Sequence, residues 1–332
     1  MPVQENKMPR RYICELKHQE PVAQVFLAGE KILRPNRNGN LYLQVALCDR
    51  SGSIPAMIWN ADQTLYQSFN AGDYVHVEGV AQLYQGEMQI IAKRLRKVEA
   101  AEVDEADFRP VSSADVERLL NRLADMLRSM SDLHLQSLAE CFLMDEPLMA
   151  KLSMAPAGTK HHHAYLGGLL QHTVSLMELA LRVAELYPQL DRDLLLMGAF
   201  LHDLGKIEEL TFAHGLGYSD EGQLIGHLVQ GVELLNRKLA EVEKLVGELP
   251  PQDTVARLKH MLLSHHGEYA FGSPKLPMTL EALALAQLDC LDAKLHAFEH
   301  LMRHDPNTES PWTIYHAGLE RKLYKGKPGK TG

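Results

Sequence analysis

The hydrophobic period of the chain changes once, and that change demands two regions of different class. Between residues 20 and 98 apolar and polar residues alternate, as in Leu41-Tyr42-Leu43-Gln44-Val45-Ala46-Leu47 and Tyr74-Val75-His76-Val77. A period of two sends successive side chains to opposite faces of a strand. Turn signals at Asn38-Gly39-Asn40, Asp49-Arg50-Ser51-Gly52, Ala71-Gly72-Asp73 and Gln85-Gly86-Glu87 separate the runs. They delimit five strands, near 21–29, 40–48, 53–59, 73–83 and 87–97. Five short strands in so little chain predict a small closed or partly closed barrel over residues 10–98.

From Ser112 the period lengthens. Val116, Leu119, Leu120, Leu123, Met126 and Leu127 fall on one face of a helix. Further helices are expected near 132–143, 169–187, 191–204, 224–246, 252–265 and 278–302. No alternation returns, so residues 112–315 read as an all-α domain. The acidic, aperiodic stretch 99–111 reads as a linker, and 316–332 as a basic, flexible tail. The fold class is thus multidomain α and β: a five-stranded β-barrel, then an all-α domain.

No run of 18 apolar residues suggests a membrane span, and the first residues lack the apolar stretch of a secretory signal. Cys14, Cys48, Cys141 and Cys290 form no CxxC pair, which argues against a zinc ribbon and fits a reducing cytoplasm. Charge is uneven. Residues 1–100 hold 12 Lys/Arg against 10 Asp/Glu, and the remainder 22 against 33. An acidic chain does not attract polyanions unless basic patches or bound cations offset its carboxylates.

Histidine is the outstanding residue type, with 17 in the chain. The sharpest motif is Phe200-Leu201-His202-Asp203-Leu204-Gly205-Lys206. An apolar helix ends there in adjacent His and Asp, with Gly205 as terminator. Neighbours on a helix point about 100° apart. A His-Asp doublet therefore suits a helix end, where the backbone brings both side chains to one metal centre. His172, His227 and the pair His265-His266 sit on other apolar helices or at their ends. Asp289 lies inside an apolar helix, where an acid costs energy unless paired or bound to a cation. Mixed imidazole and carboxylate suit Mn, Fe, Co, Ni or Zn better than Ca.

A single histidine is ordinarily a core or surface residue, and His214, His260, His296 and His300 are read that way. His162 and His163, more than His161, are candidates to touch a substrate phosphate; the alternative is a His-rich surface loop. Lys206 is a candidate to stabilise charge on a phosphate oxygen. Its alternative is a solvated lysine near a helix C-terminus.

The five strands and their turns resemble an OB-fold. Such barrels bind single strands by stacking bases on aromatics and tracking phosphates with cations. Tyr42, Trp59 and Tyr84 are candidates for stacking, though Trp59 could equally be core. Lys31, Arg34, Arg37, Arg50, Lys93 and Arg94 are candidates for phosphate, though the run from Lys93 to Lys97 is ordinarily a solvated strand end.

The order His, His-Asp, His, His, Asp resembles the HD-domain superfamily of metal-dependent phosphohydrolases. From about residue 10 to 315 the chain resembles the YhaM-type 3′–5′ exoribonucleases. Leu47-Cys48-Asp49-Arg50-Ser51-Gly52 and Trp59-Asn60 carry this in the barrel. In the helices it rests on the run from His162 to Thr173, on His202-Asp203-Leu204-Gly205-Lys206, on Ser264-His265-His266-Gly267-Glu268-Tyr269 with Gly272-Ser273-Pro274, and on Asp289-Cys290-Leu291-Asp292-Ala293-Lys294. The resemblance implies removal of nucleotides one at a time from the 3′ end of single-stranded RNA, or of DNA. It also implies two divalent cations, with Mn the first choice. His172, His202, Asp203 and Asp289 would hold one; Asp203 would bridge to a second on His227 and His265 or His266. Lys206, His162 and His163 would grip the phosphate. Gln171 stands where the family often carries Glu, which removes a charge beside a ligand without removing the ligand. No membrane partner is expected, and a homo-oligomer is compatible.

Two other functions fit parts of the pattern. A phosphohydrolase of small nucleotides would not need a stacking barrel, and the Gly-Tyr-Pro of the cyclic-dinucleotide branch is missing after His265-His266. A non-catalytic single-strand-binding regulator would not need the full ligand set.

Overall fold

The computed structural model describes residues 10–36, 39–84, 87–104, 107–108, 113–158, 165–211, 217–303 and 305–326. Five strands close into a barrel: β1 (Pro21–Pro35), β2 (Leu41–Asp49), β3 (Gly52–Trp59), β4 (Tyr74–Tyr84) and β5 (Glu87–Val98). They pair in the order β1-β2-β3-β5-β4, antiparallel except for β3 beside β5. This is the expected OB-like barrel. Alternation fills it: Phe26, Leu43, Val45, Val77 and Ile90 are wholly buried.

Strand β1 runs past its expected end at residue 29. A bulge between Ala28 and Lys31 shifts its register, which is where the sequence alternation breaks. Between β3 and β4 lies α1 (Gln63–Gln67), which was not anticipated; the Asp62 carboxylate caps it, accepting the Leu65 N–H at 2.7 Å. Gly79 is required where β4 crosses β5. A Cβ there would stand 2.3 Å from the Ile91 carbonyl oxygen.

The remaining helices are α2 (Ser113–Arg128), α3 (Leu133–Leu143), α4 (Glu146–Met154), α5 (Gly168–Leu186), α6 (Arg192–Leu201), α7 (Lys206–Glu209), α8 (Asp220–Ile225), α9 (His227–Val246), α10 (Gln252–Ser264) and α11 (Leu280–Arg303). Asp132, Asp145 and Asp191 cap α3, α4 and α6 by accepting the N–H three residues on. Helix α6 is buried on every side from Asp193 to Leu201, as an all-apolar central helix must be. Phe200 meets Phe142 edge-on, with ring centroids 5.4 Å apart.

Two features depart from the expected helices. The single helix 224–246 is two, because Gly226 adopts φ +80° and breaks it. A two-residue pairing of β6 (Leu210–Thr211) with β7 (Gly217–Tyr218) interrupts the otherwise helical region.

Among the described residues two compact units form. The barrel and the chain from residue 298 belong to one, the helices up to residue 297 to the other. Residues 305–326 close on themselves. The buried Asp305 carboxylate accepts from the Asn307 and Ile314 amides and the Lys325 ammonium, and Trp312 pairs with Tyr324. No helix of the described residues is long and apolar enough to cross a membrane.

Candidate metal centre

Five helices deliver the His/Asp set to one place. Helix α6 ends at His202, which is 0% exposed, and at the buried Asp203. Helix α5 supplies His172, α9 begins at His227, α10 ends at His265-His266, and α11 carries Asp289. The break at Gly226 matters here, because it makes His227 the first residue of its helix.

The distances are short. His172 Nε2 lies 3.2 Å from His202 Nε2 and 3.3 Å from Asp289 Oδ1. Asp203 sits in the middle. Its Oδ2 is 3.4 Å from His202 Nε2 and 3.8 Å from His172 Nε2. Its Oδ1 is 3.5 Å from both His227 Nε2 and His265 Nε2. The donor atoms of His172, His202 and Asp203 lie within 4.8 Å of one another, as do those of His227, His265 and His266. Asp203 turns one oxygen toward each group.

The imidazoles share one orientation. Nδ1 of His172 bonds Asp292 (2.9 Å) and Nδ1 of His227 bonds Glu209 (3.1 Å). Nδ1 of His202, His265 and His266 bond the carbonyls of Ala199, Leu262 and Phe271 at 2.9, 2.9 and 3.0 Å. An oxygen acceptor at Nδ1 holds the proton there and leaves the Nε2 lone pair facing inward.

Facing lone pairs and carboxylates repel unless a cation lies among them. Two buried atoms, Asp203 Oδ1 and His227 Nε2, have no hydrogen-bond partner among the described residues. Each unsatisfied buried acceptor costs about 1–3 kcal/mol. The titration follows the same logic. Burial alone would lower the pKa of His172, yet Asp289 and Asp292 lift it to about 9, so a proton stabilises the acidic cluster. Burial would raise Asp203, but Lys206 and His202 hold it well below the usual carboxylate range. Burial pushes His265 down. The donor set therefore fits divalent cations: orphaned, preoriented nitrogen and oxygen atoms around a shared carboxylate.

Lys206 is not solvated. Its ammonium bonds Asp203 Oδ2 at 2.6 Å and the Ala157 carbonyl at 2.8 Å. Gln171 accepts a hydrogen bond from the Tyr165 hydroxyl at 2.6 Å. His162 and His163 lie outside the described residues. Sequence reasoning gave no role to Asp292 or Glu209. Asp292 was within reach, since it falls three residues after Asp289 on the same helix and is subject to the same burial penalty. Glu209 carries no local signal.

On the barrel, cross-strand register sets Arg34 beside Tyr42 and Tyr42 beside Trp59. Lys93 follows Ala92, which pairs with Ile58 next to Trp59, and sits where β5 shifts register against β4. Trp59 is 50% exposed and is not core; its ring tilts against Tyr42 at 5.4 Å. Arg94 is exposed beside Glu78, and Tyr84 is exposed at the end of β4. Two cations are committed elsewhere. Lys31 donates to the Tyr66 and Phe69 carbonyls, and Arg50 lies over the Tyr12 ring at the far end of β2. Arg37 lies outside the described residues.

Fold and site together define a class: a nucleic-acid-binding OB-fold joined to an HD domain. The family model described as OB-fold nucleic acid binding domain matches residues 25–98, and the HD domain model matches residues 169–294. The chain belongs to the YhaM family of 3′–5′ exoribonucleases. The Listeria monocytogenes serotype 4b relative named 3′–5′ exoribonuclease YhaM is 35% identical over 289 residues, 86% of this chain and 89% of that one. The Listeria welshimeri protein of the same name is 33% identical over 307 residues, 92% and 95% of the two chains. That of Bacillus subtilis is 34% identical over 266 residues, 80% and 82%.

Proposed function

We propose that the chain removes nucleotides from the 3′ end of single-stranded RNA at a centre of two divalent cations, Mn first among them. The observation that carries this is the convergence of four Nε2 atoms on the two oxygens of Asp203. Such cations, when bound, lower the pKa of water and polarise a phosphate. His172, His202, Asp203 and Asp289 would hold one, and Asp203 with His227 and His265 or His266 the other. Asp292 and Glu209 fix the rings of His172 and His227. Lys206 fixes the Asp203 carboxylate and adds positive charge where phosphate oxygens arrive, and His162 and His163 would share the grip on phosphate. On the barrel, Tyr42 and Trp59 would stack bases, with Arg34 and Lys93 beside them for phosphate. Four free cysteines and an RNA substrate support a cytoplasmic setting for this activity.

The test uses metal-free protein with 5′-labelled single-stranded RNA and DNA, with and without Mn²⁺. A ladder shortening from the 3′ end is expected for RNA; the DNA arm decides the second substrate. Hydrolysis of mononucleotides alone would favour a small-nucleotide phosphohydrolase. Retardation without cleavage, insensitive to His202→Ala, would favour a binding regulator.

Two further outcomes are expected. Asp292→Asn loses the charge that orients His172, so Mn²⁺ affinity falls about 10–100-fold; calorimetric titration reads this, and an unchanged affinity removes Asp292 from the centre. Trp59→Ala weakens binding of an oligoribonucleotide by about 1–3 kcal/mol, the worth of one stacked base. Equal affinity by filter binding moves the platform away from β2 and β3.

A further inference from the structure

Immediately after His265-His266 the chain forms a short, tightly knitted loop that the metal centre does not use. Its backbone is held at both ends. His266 Nδ1 donates to the Phe271 carbonyl at 3.0 Å, which ties the loop directly to a candidate ligand. The buried Ser273 hydroxyl donates to the Lys275 carbonyl at 2.7 Å, with the Leu263 carbonyl 3.1 Å from the same oxygen, and His260 accepts the Met278 N–H at 2.9 Å. A 3-10 turn, Tyr269–Phe271, lies between these anchors and ends at Gly272 with φ +82°. So firm a frame nevertheless presents Tyr269 at 65% and Phe271 at 64% exposure. Among the described residues neither ring stacks on another aromatic, and the exposed Lys275 has no ion-pair partner. A rigid backbone holding bare aromatic rings loses stability in water and gains it only when a flat apolar surface covers them.

We infer that this loop is the subsite for the 3′-terminal nucleotides, with Tyr269 and Phe271 stacking on their bases and Lys275 meeting a phosphate. This rests on the exonuclease reading and deepens it. Phe271 is one hydrogen bond from His266, so the loop adjoins a candidate ligand and lies within reach of a strand whose end enters the centre. Exposed aromatic rings followed by a cation are the chemistry that holds single strands without regard to base identity; the exposed Glu268 lies on the other side of the rings in sequence. A lysine without an ion-pair partner among the described residues, next to exposed rings, favours a polyanion as the occupant. Tyr269 and Phe271 are positioning residues: they act through the base, not on the scissile bond.

The test compares two 5′-labelled oligoribonucleotides that differ only in whether the 3′-terminal nucleotide carries its base or is abasic. The readout is the ratio of their kcat/KM for the first removal, measured within each protein and so independent of how much of a variant is folded. In the wild type the base is expected to contribute about 5- to 150-fold, the range for one stacked base. In Tyr269→Ala/Phe271→Ala the ratio falls to near one, and Tyr269→Phe restores most of it. Lys275→Gln raises KM for both oligomers and leaves their ratio alone. If the double variant keeps the wild-type ratio while the wild type hydrolyses RNA, the subsite is overturned and the exonuclease reading stands. If the wild type removes nucleotides from neither oligomer, both fall.

Discussion

Asp203→Ala is expected to lower kcat/KM on single-stranded RNA by on the order of 10³-fold or more. Removing one stabilising donor from a transition state costs about 10²–10³-fold, and Asp203 serves both halves of the cluster through its two oxygens. Bound Mn²⁺ per chain should fall with the rate, because among the described residues the Asp203 carboxylate reaches both sets of histidines, one oxygen toward each. Binding of RNA should survive, since the barrel makes no use of the residue. Folding needs a control. Truncation leaves Lys206, among the described residues, with the Ala157 carbonyl alone, and stranding one partner of a buried pair costs about 3–5 kcal/mol. Asp203→Asn keeps an acceptor for Lys206 and preserves volume, and should retain the fold while losing the metal. Labelled-RNA gels, metal analysis and filter binding read the three quantities. Turnover at the wild-type rate by the Asn variant, with metal retained, would remove Asp203 from the centre.

How much of this was legible follows from which features are local. Alternation and turn residues are local, so five strands and their order along the chain could be read. Closure was not local: the parallel pairing of β3 with β5 joins segments separated by α1 and β4. The extension of β1 was hidden because a bulge erases the alternation that marks a strand. Buried histidines and acids at helix ends announced the centre, because each would be costly without a partner. The positions bonded at Nδ1 divide the same way. Asp292 sits where an acid is conspicuous, inside an apolar helix. Glu209 is one more acid in a polar stretch, and only the turn through Gly226 brings the His227 amide and ring to it. Among the barrel cations, sequence does not distinguish Lys31 from Lys93. The fold does, by turning the first onto two carbonyls.

Gly205→Ala is expected to destabilise the helical unit strongly and to loosen the metal centre. Its backbone is ordinary helical, φ −60°, so conformational freedom is not what glycine provides here. By propensity alone alanine should gain about 1 kcal/mol at such a position. Sterics decide against it. A Cβ at residue 205 would stand 2.1 Å from the His227 carbonyl oxygen and 2.7 Å from the Gly231 nitrogen, both backbone atoms of α9. Neither can swing aside, so α9 must move away from the turn that carries Asp203. Overpacking of this kind costs about 3 kcal/mol or more, a fall in Tm of about 6–12 °C for a unit of this size. The same displacement draws His227 from Asp203 Oδ1, so Mn²⁺ bound per chain should drop even where the fold persists. Gly198→Ala is the matched control on α6. Its Cβ would meet the Met261 Cε at 2.0 Å, but that atom ends a flexible side chain. It should cost much less and leave the metal in place. Equal Tm values for the two variants would mean that the close approach of residue 205 to α9 does not hold His227 against Asp203.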